Sequence, residues 1–178
     1  ASRPAAARFG MRDLASALAY AWNRTRILHR DIKPANIMVG SDGEPRLLDM
    51  GLAKTLEVDT ALTAAGLVVG TPAYMSPEQA DPKRDVDFLS DMYALGATLF
   101  HMVTGQAPYR GNTVVDVLRQ AAKGRPPAPR SLNPDLSDEC ATILNKMMAR
   151  RPEDRYSSWE ALIEAIDAVR SARSAASV

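Results

Sequence analysis

Hydrophobic residues recur along this chain at two spacings, which divide it into a mixed first part and a helical second part. From residue 5 to residue 23 the apolar positions lie three or four apart, which predicts an amphipathic helix; these positions include Phe9, Leu14, Leu18 and Ala21. Short apolar runs at 27–28, 37–39 and 45–48 predict small strands instead, and residues 41–43, Ser-Asp-Gly, predict a turn.

The second part has the pattern of consecutive helices. Residues 91–103 are apolar on almost every side, which is typical of a helix in the centre of a domain. Capping signals predict three more helices, beginning at Asn112 or Thr113, at Ser137, and at Ser157 with Glu160 as its capping-box partner. The small and polar residues 171–178 are expected to fray. The predicted fold is mainly α with a few short β-strands.

Composition narrows the function classes. A chain of 178 residues with 46% hydrophobic residues can bury roughly two-thirds of its unfolded surface, which suits one compact unit. The net charge of +1 argues against a nucleic-acid partner, and no apolar run reaches the roughly 18 residues of a membrane span. The single cysteine, Cys140, cannot form an internal disulfide and lies on an apolar helical stripe. We predict a buried thiol in a reducing compartment and a cytoplasmic location, with a membrane tether outside this chain as an open alternative for the parent protein.

The most specific pattern is residues 29–36, His-Arg-Asp-Ile-Lys-Pro-Ala-Asn. It resembles the catalytic loop of the eukaryotic-type Ser/Thr protein kinases, in particular their bacterial Hanks-type branch. A chance match to its five fixed positions is on the order of one in a few million per starting position. Further motifs of that family follow in order at 47–51, 70–78, 90–96, 104–109 and 151–156, so that the resemblance covers nearly the whole chain.

The resemblance implies a role for each matching residue. Asp31 would accept the proton of the attacking hydroxyl, Lys33 would stabilise the moving phosphoryl group, and Thr71 would bridge the two. Asn36 and Asp49 would bind Mg²⁺ (or Mn²⁺) together with ATP, since hard cations prefer oxygen ligands. Met50 stands where the family usually has Phe. Met38 resembles the floor beneath the adenine ring, and a plain core methionine is an equal alternative.

Other matching residues would support or regulate the site. His29 is interpreted as a packing residue, Asp91 as an anchor for the catalytic loop, and Glu78 with Arg155 as a buried ion pair. Thr60 or Thr63 would be phosphorylated in the activation segment, and the guanidinium of Arg30 would pair with that phosphate. A solvated loop without regulation is the alternative.

The family's nucleotide-covering motifs have no match in these 178 residues. No Gly-x-Gly-x-x-Gly loop or Val-Ala-x-Lys strand precedes the catalytic loop. The resemblance therefore implies a kinase C-terminal lobe over residues 1–170, with the catalytic loop at 29–36, an activation segment at 49–78, and no N-terminal β-rich lobe.

The implied function is transfer of the ATP γ-phosphoryl group to serine or threonine hydroxyls of a protein substrate, in a parent protein that supplies the missing lobe as a partner. The 178-residue chain alone is expected to bind ATP weakly and to turn over negligibly. The alternative is a lobe-only or pseudokinase-like module that binds or regulates a partner without catalysis.

Overall fold

A computed structural model describes residues 10–48, 72–81, 83–123 and 125–175. Its architecture is mainly helical with one two-stranded antiparallel sheet, which confirms the predicted fold class. The helices are α1 (Met11–Thr25), α2 (Phe88–Thr104), α3 (Val114–Lys123), α4 (Pro129–Leu132), α5 (Asp138–Met147) and α6 (Trp159–Ala175). The strands are β1 (Ile37–Val39) and β2 (Pro45–Leu47), and short 3₁₀ turns lie at Pro34–Asn36, Pro72–Tyr74 and Pro152–Asp154.

Helix α2 is the centre of the molecule. Every residue from Ser90 to Phe100 is buried, as the apolar pattern predicts. The Asp87 carboxylate caps its first turn by accepting from Leu89 N at 2.8 Å, and Gly105 ends it with a φ of 79°. Inside the helix, a side chain at Gly96 would come within 2.9 Å of Met147 Cβ, so glycine permits the close packing of α2 on α5.

Two hydrophobic clusters surround this helix. The larger joins residues of α1, α2, α5 and α6, including Leu14, Leu95, Leu144 and Leu162. The smaller is rich in aromatic residues and joins the 3₁₀ turn Pro72–Tyr74 to α2 and α3. Because both clusters include residues of α2, that helix is the common support for everything packed on it.

The hairpin of β1 and β2 pairs Ile37 with Leu47, Met38 with Arg46 and Val39 with Pro45. This hairpin packs on α1. The predicted start of that helix is wrong. Helix α1 begins at Met11 because Gly10 has a φ of 75°, a left-handed conformation that is not part of an α-helix. A side chain at Gly10 would also collide with Pro45. Residues 5–9 of the predicted helix lie outside the described residues.

Three other local predictions need correction. No strand forms at 27–28, because the chain leaves α1 through Arg26 at a φ of 56°. The cap of α6 is Ser158, whose Oγ accepts from Ala161 N at 3.1 Å, and not Ser157. Helix α6 continues through Ala175, past the predicted end at residue 170, because alanine and arginine in this segment favour helix.

Other capping predictions are confirmed. Thr113 Oγ1 accepts from Asp116 N at 3.1 Å and begins α3, and Ser137 Oγ accepts from Cys140 N and begins α5. Cys140 itself is only partly buried, against the prediction, because it lies in the first turn of α5 at the edge of the larger cluster. Among the described residues, no helix combines the length and the apolar character needed to cross a bilayer.

Candidate active site

Asp91 of α2 holds the loop between α1 and the 3₁₀ turn Pro34–Asn36 by two hydrogen bonds to its backbone. One carboxylate oxygen accepts from His29 N at 2.7 Å and the other from Arg30 N at 2.8 Å. Asp91 is 4% exposed. Burial raises the pKa of this carboxyl group, and the two backbone hydrogen bonds oppose that rise. The two N–H groups are therefore satisfied by a buried side chain instead of a strand partner.

His29 links the same loop to the end of β2. The ring is buried, with Nδ1 accepting from Asp31 N at 3.3 Å and Nε2 lying 3.1 Å from the Leu48 carbonyl oxygen. Since Nδ1 accepts, the ring proton belongs on Nε2, which donates to Leu48. The structure thus places His29 in packing and positioning contacts beneath Asp31.

Asp31, Lys33 and Asn36 form a half-buried polar cluster. Lys33 Nζ lies 3.0 Å and 3.2 Å from the two Asp31 carboxylate oxygens. Asn36 Nδ2 donates to the Asp31 carbonyl at 2.8 Å and to its carboxylate at 3.2 Å. The side chains of Lys33 and Asp31 remain 23% and 20% exposed, so a ligand can still reach them.

The peptide between Asp31 and Lys33 is held by a residue that sequence reasoning missed. Thr98 of α2 is fully buried, and its hydroxyl donates to the Ile32 carbonyl at 3.2 Å. Ile32 is itself 2% exposed. A hydroxyl in the buried middle of a central helix needs a partner, and that was the available signal.

Two residues of the predicted metal and nucleotide site can be assessed from their contacts. The Asn36 amide nitrogen is used by Asp31, which leaves Oδ1 as the oxygen that fits a hard cation. Met38, on β1, is 56% exposed, so the alternative of a core methionine is wrong. Asp49 and Thr71 lie outside the described residues. Within the described residues no three His, Cys, Asp or Glu side chains cluster as a metal site.

Behind the site, Glu78 and Arg155 form a buried ion pair. Arg155 donates to both Glu78 oxygens, at 2.6 Å and 2.8 Å, and Ser90 Oγ donates to Glu78 at 2.7 Å. Burial raises the pKa of Glu78, but the bonds and the charge of Arg155, with Ser90, outweigh it and lower the pKa overall. Arg155 also donates to the carbonyls of Ala149 and Leu89.

Of the three predicted regulatory residues, the structure describes Arg30 alone. Arg30 is exposed and has a φ of 62°, an uncommon value for a residue with a side chain. Its backbone N–H is held by Asp91, so the loop fixes the backbone and leaves the guanidinium at the surface. Thr60 and Thr63 lie outside the described residues.

The cluster combines a carboxylate, an ammonium group and a carboxamide on one loop that hydrogen bonds hold on α2. That set can orient a hydroxyl, offset phosphate charge and supply an oxygen to a cation, which are the demands of phosphoryl transfer. The fold and the site together define a protein of the kinase class.

Comparison with known proteins agrees. A family model described as the protein kinase domain matches residues 2–165, and the chain belongs to that family. The DNA damage-responsive serine/threonine-protein kinase RqkA of Deinococcus radiodurans is 42% identical over 136 residues, 76% of this chain and 20% of that protein. The serine/threonine-protein kinase PknB of Mycobacterium leprae is 37% identical over 130 residues, 73% of this chain and 21% of that protein.

A third relative is named for a different acceptor residue, tyrosine. The tyrosine-protein kinase MasK of Myxococcus xanthus is 40% identical over 141 residues, 79% of this chain and 22% of that protein. The chain therefore spans about a fifth of the length of these three curated relatives.

Proposed function

We propose that this protein transfers the γ-phosphoryl group of ATP to serine or threonine side chains of a protein substrate. The observation that carries the proposal is the Asp31 carboxylate, held 3.0 Å from Lys33 Nζ and 3.2 Å from Asn36 Nδ2 on a loop that Asp91 pins to α2. Membership of the protein kinase family supports the reaction class.

In this proposal Asp31 binds the acceptor hydroxyl and takes its proton, while Lys33 offsets the charge of the transferring group. Asn36 Oδ1 and Asp49 would hold Mg²⁺ or Mn²⁺, which would offset the negative charge of the ATP phosphates, and Met38 would lie under the adenine ring. Thr71 links base and lysine. The chain's own contribution is thus to hold a hydroxyl and a phosphate in a fixed geometry.

The proposal treats residues 1–170 as the C-terminal lobe, with the catalytic loop at 29–36 and the activation segment at 49–78. The N-terminal lobe acts as its partner in covering ATP, and the reaction takes place in the cytoplasm. Serine or threonine is chosen over tyrosine because Lys33 and Thr71 match the Ser/Thr pattern.

The test is Asp31→Asn in the full-length protein. Turnover should fall roughly 10²- to 10⁴-fold because the general base is lost, while the affinity for ATP stays near the wild-type value. Peptides with serine, threonine or tyrosine acceptors are assayed in parallel with radiolabelled ATP. The exposed Asp135 lies in another loop, and Asp135→Asn is the matched control.

Wild-type turnover in Asp31→Asn would refute the assignment and favour a binding or regulatory module without catalysis. Faster transfer to tyrosine than to serine or threonine would refute the specificity.

Regulation belongs to the same proposal. Phosphate on Thr60 or Thr63 pairs with the exposed guanidinium of Arg30 and orders the activation segment. Replacing both threonines by alanine in the full-length protein should lower turnover at least about tenfold, and Arg30→Gln should have a similar effect. Unchanged turnover in the double variant, measured on the same peptides, would contradict this mode of activation.

A further inference from the structure

A cleft whose described lining residues are all charged shares no residue with the Asp31 cluster. It measures about 490 Å³ and is lined by Arg84, Arg125, Arg150, Arg151, Glu153 and Asp154. These residues come from three separate segments, namely the loop before α2, the chain after α3 and the chain after α5. Four guanidinium groups face two carboxylates, which leaves an excess of two positive charges.

The four arginines differ in whether they already form ion pairs or hydrogen bonds with carboxylates. Arg151 donates to Glu153 at 2.8 Å, and Arg84 lies 3.4 Å from Asp81. Among the described residues, Arg125 and Arg150 form neither a hydrogen bond nor an ion pair with another side chain. Each guanidinium has five N–H donors, so these two arginines can give a whole donor face to a ligand.

Arg155 of the buried ion pair described above holds the segment with Arg150 and Arg151 against the start of α2. Arg155 donates to the Ala149 carbonyl at 2.9 Å, next to Arg150 and Arg151, and to the Leu89 carbonyl at 2.7 Å, at the start of α2. The arginine-bearing loop is therefore fixed against α2 before any ligand arrives. Such preorganisation reduces the entropy lost on binding.

The lining selects the chemistry of the ligand. Among the described residues, the lining contains no aromatic side chain on which a nucleotide base could stack. Guanidinium groups pair best with planar or tetrahedral oxyanions, and a dianion gains most from two extra positive charges. The cleft is open to the surface and has room for a phosphorylated side chain with its neighbouring backbone.

We propose that this cleft binds the phosphoryl group of a phosphorylated serine or threonine in a protein segment, through Arg125 and Arg150. The choice of a phosphorylated side chain as ligand rests on the proposed function, whose product has this group. The cleft would then hold a protein that has already been phosphorylated, at a place distinct from the Asp31 cluster.

The experiment measures binding by the 178-residue chain and needs no catalysis. The probe is a fluorescein-labelled peptide with one phosphoserine flanked by alanines. Its binding is measured by fluorescence anisotropy. The same peptide with serine or glutamate, inorganic phosphate and AMP are the comparison ligands. We expect the phosphoserine peptide to bind at least about tenfold more tightly than the serine and glutamate peptides.

Variants locate the site. Arg125→Gln and Arg150→Gln should each weaken phosphopeptide binding about tenfold or more, and the double variant should abolish it. Arg170→Gln, an exposed arginine of α6 outside the cleft, is the matched control and should bind as wild type. Unchanged circular dichroism and melting temperature show that the variants are folded. In labelled protein, the Nε–H signals of Arg125 and Arg150 should shift on titration.

Several outcomes would overturn the inference: no preference for phosphoserine, undiminished binding in the double variant, or equal binding of inorganic phosphate, which would mean an adventitious ion only. AMP binding as tight as the phosphopeptide would overturn the choice of a protein ligand. None of these outcomes bears on the Asp31→Asn assay, so the cleft and the proposed kinase activity fail independently.

Discussion

Four hydrogen bonds keep Asp31 in place although its neighbour Arg30 has an unfavourable backbone conformation. Asp91 accepts from the N–H groups of His29 and Arg30, Thr98 donates to the Ile32 carbonyl, and His29 accepts from Asp31 N. A positive φ at a non-glycine residue costs on the order of 1 to 3 kcal/mol and persists only where the surroundings impose it. These contacts impose the loop conformation on each side of the carboxylate.

Thr98 provides a test at this scale. Thr98→Val keeps the shape of the side chain but leaves the buried Ile32 carbonyl without this donor, so the free energy of unfolding should fall by about 1 to 3 kcal/mol. Thr98→Ser restores the donor and should recover most of the loss. Urea unfolding of the 178-residue chain measures both.

A positioning role for Thr98 also predicts a kinetic effect. In the full-length protein, Thr98→Val should lower kcat while KM for ATP stays near the wild-type value, and Thr98→Ser should rescue kcat. Equal stability and equal kcat in wild type and Thr98→Val would show that the hydrogen bond contributes nothing.

At the scale of elements, helix caps are local chemistry and can be tested one by one. Ser137 Oγ accepts from Cys140 N at the start of α5, whose Ile143, Leu144 and Met147 are buried. Ser137→Ala should destabilise the chain by about 1 kcal/mol, because a helix N–H group loses its acceptor. The control is Ser171→Ala in α6, which should be neutral or slightly stabilising, since alanine has the higher helix propensity. Thermal unfolding compares the two.

The sequence predicted the helices better than their ends. Periodicity and caps predicted α2, α3 and α5, because both signals depend on neighbouring residues alone. Periodicity predicts helix on both sides of Gly10, but Gly10 has a φ of 75° and lies against Pro45, which is distant in sequence. Residues 27–28 likewise have no strand partner among the described residues, and the N–H groups of His29 and Arg30 that follow bond to Asp91. Tertiary contacts of this kind leave no periodic signal.

In the candidate site, too, the sequence predicted the residues of a local motif and missed those that tertiary packing brings in. The motif at 29–36 identified Asp31, Lys33 and Asn36, and the structure brings their side chains within hydrogen-bonding distance. Thr98 lies in no motif, and Ser90 lies in the motif at 90–96 without a predicted role, because the role of each depends on which carbonyl or carboxylate the fold brings to it. Residues recruited from a distant helix can be found only once the packing is known.

For the whole molecule, the Glu78–Arg155 pair joins segments that are far apart in sequence. It connects the segment after the turn Pro72–Tyr74, the start of α2 and the loop after α5. Removing one member would leave a buried charge without its partner, which costs about 3 to 5 kcal/mol. Arg155→Ala should therefore affect all three segments at once.

The pair also predicts a pH dependence. The folded-state pKa of Glu78 lies below its ordinary value of 4.5, so its contribution to stability is present above pH 4.5 and is lost as pH falls through the lower, folded-state pKa. Glu78→Gln should be less stable than wild type at pH 7, and the difference should shrink below pH 4.5. Asp91, whose pKa is raised, is present in both proteins and cancels from the difference.

Denaturant unfolding between pH 7 and pH 3 measures this difference. The exposed Glu164 of α6 is the control position, and Glu164→Gln should run parallel to wild type over the whole range. If the difference in the free energy of unfolding between wild type and Glu78→Gln stays constant with pH, the lowered pKa of Glu78 is contradicted.

The anchoring of His29 and Arg30 by Asp91 also sets an order of events. The bonds connect residues 62 and 61 positions apart, so the intervening chain must close into a loop before they can form. During synthesis, residues 29–36 are made well before α2, and the catalytic geometry has to wait for that helix. A nascent or partly folded chain therefore has the right residues in its catalytic loop without a working arrangement, and competence arrives only with the core.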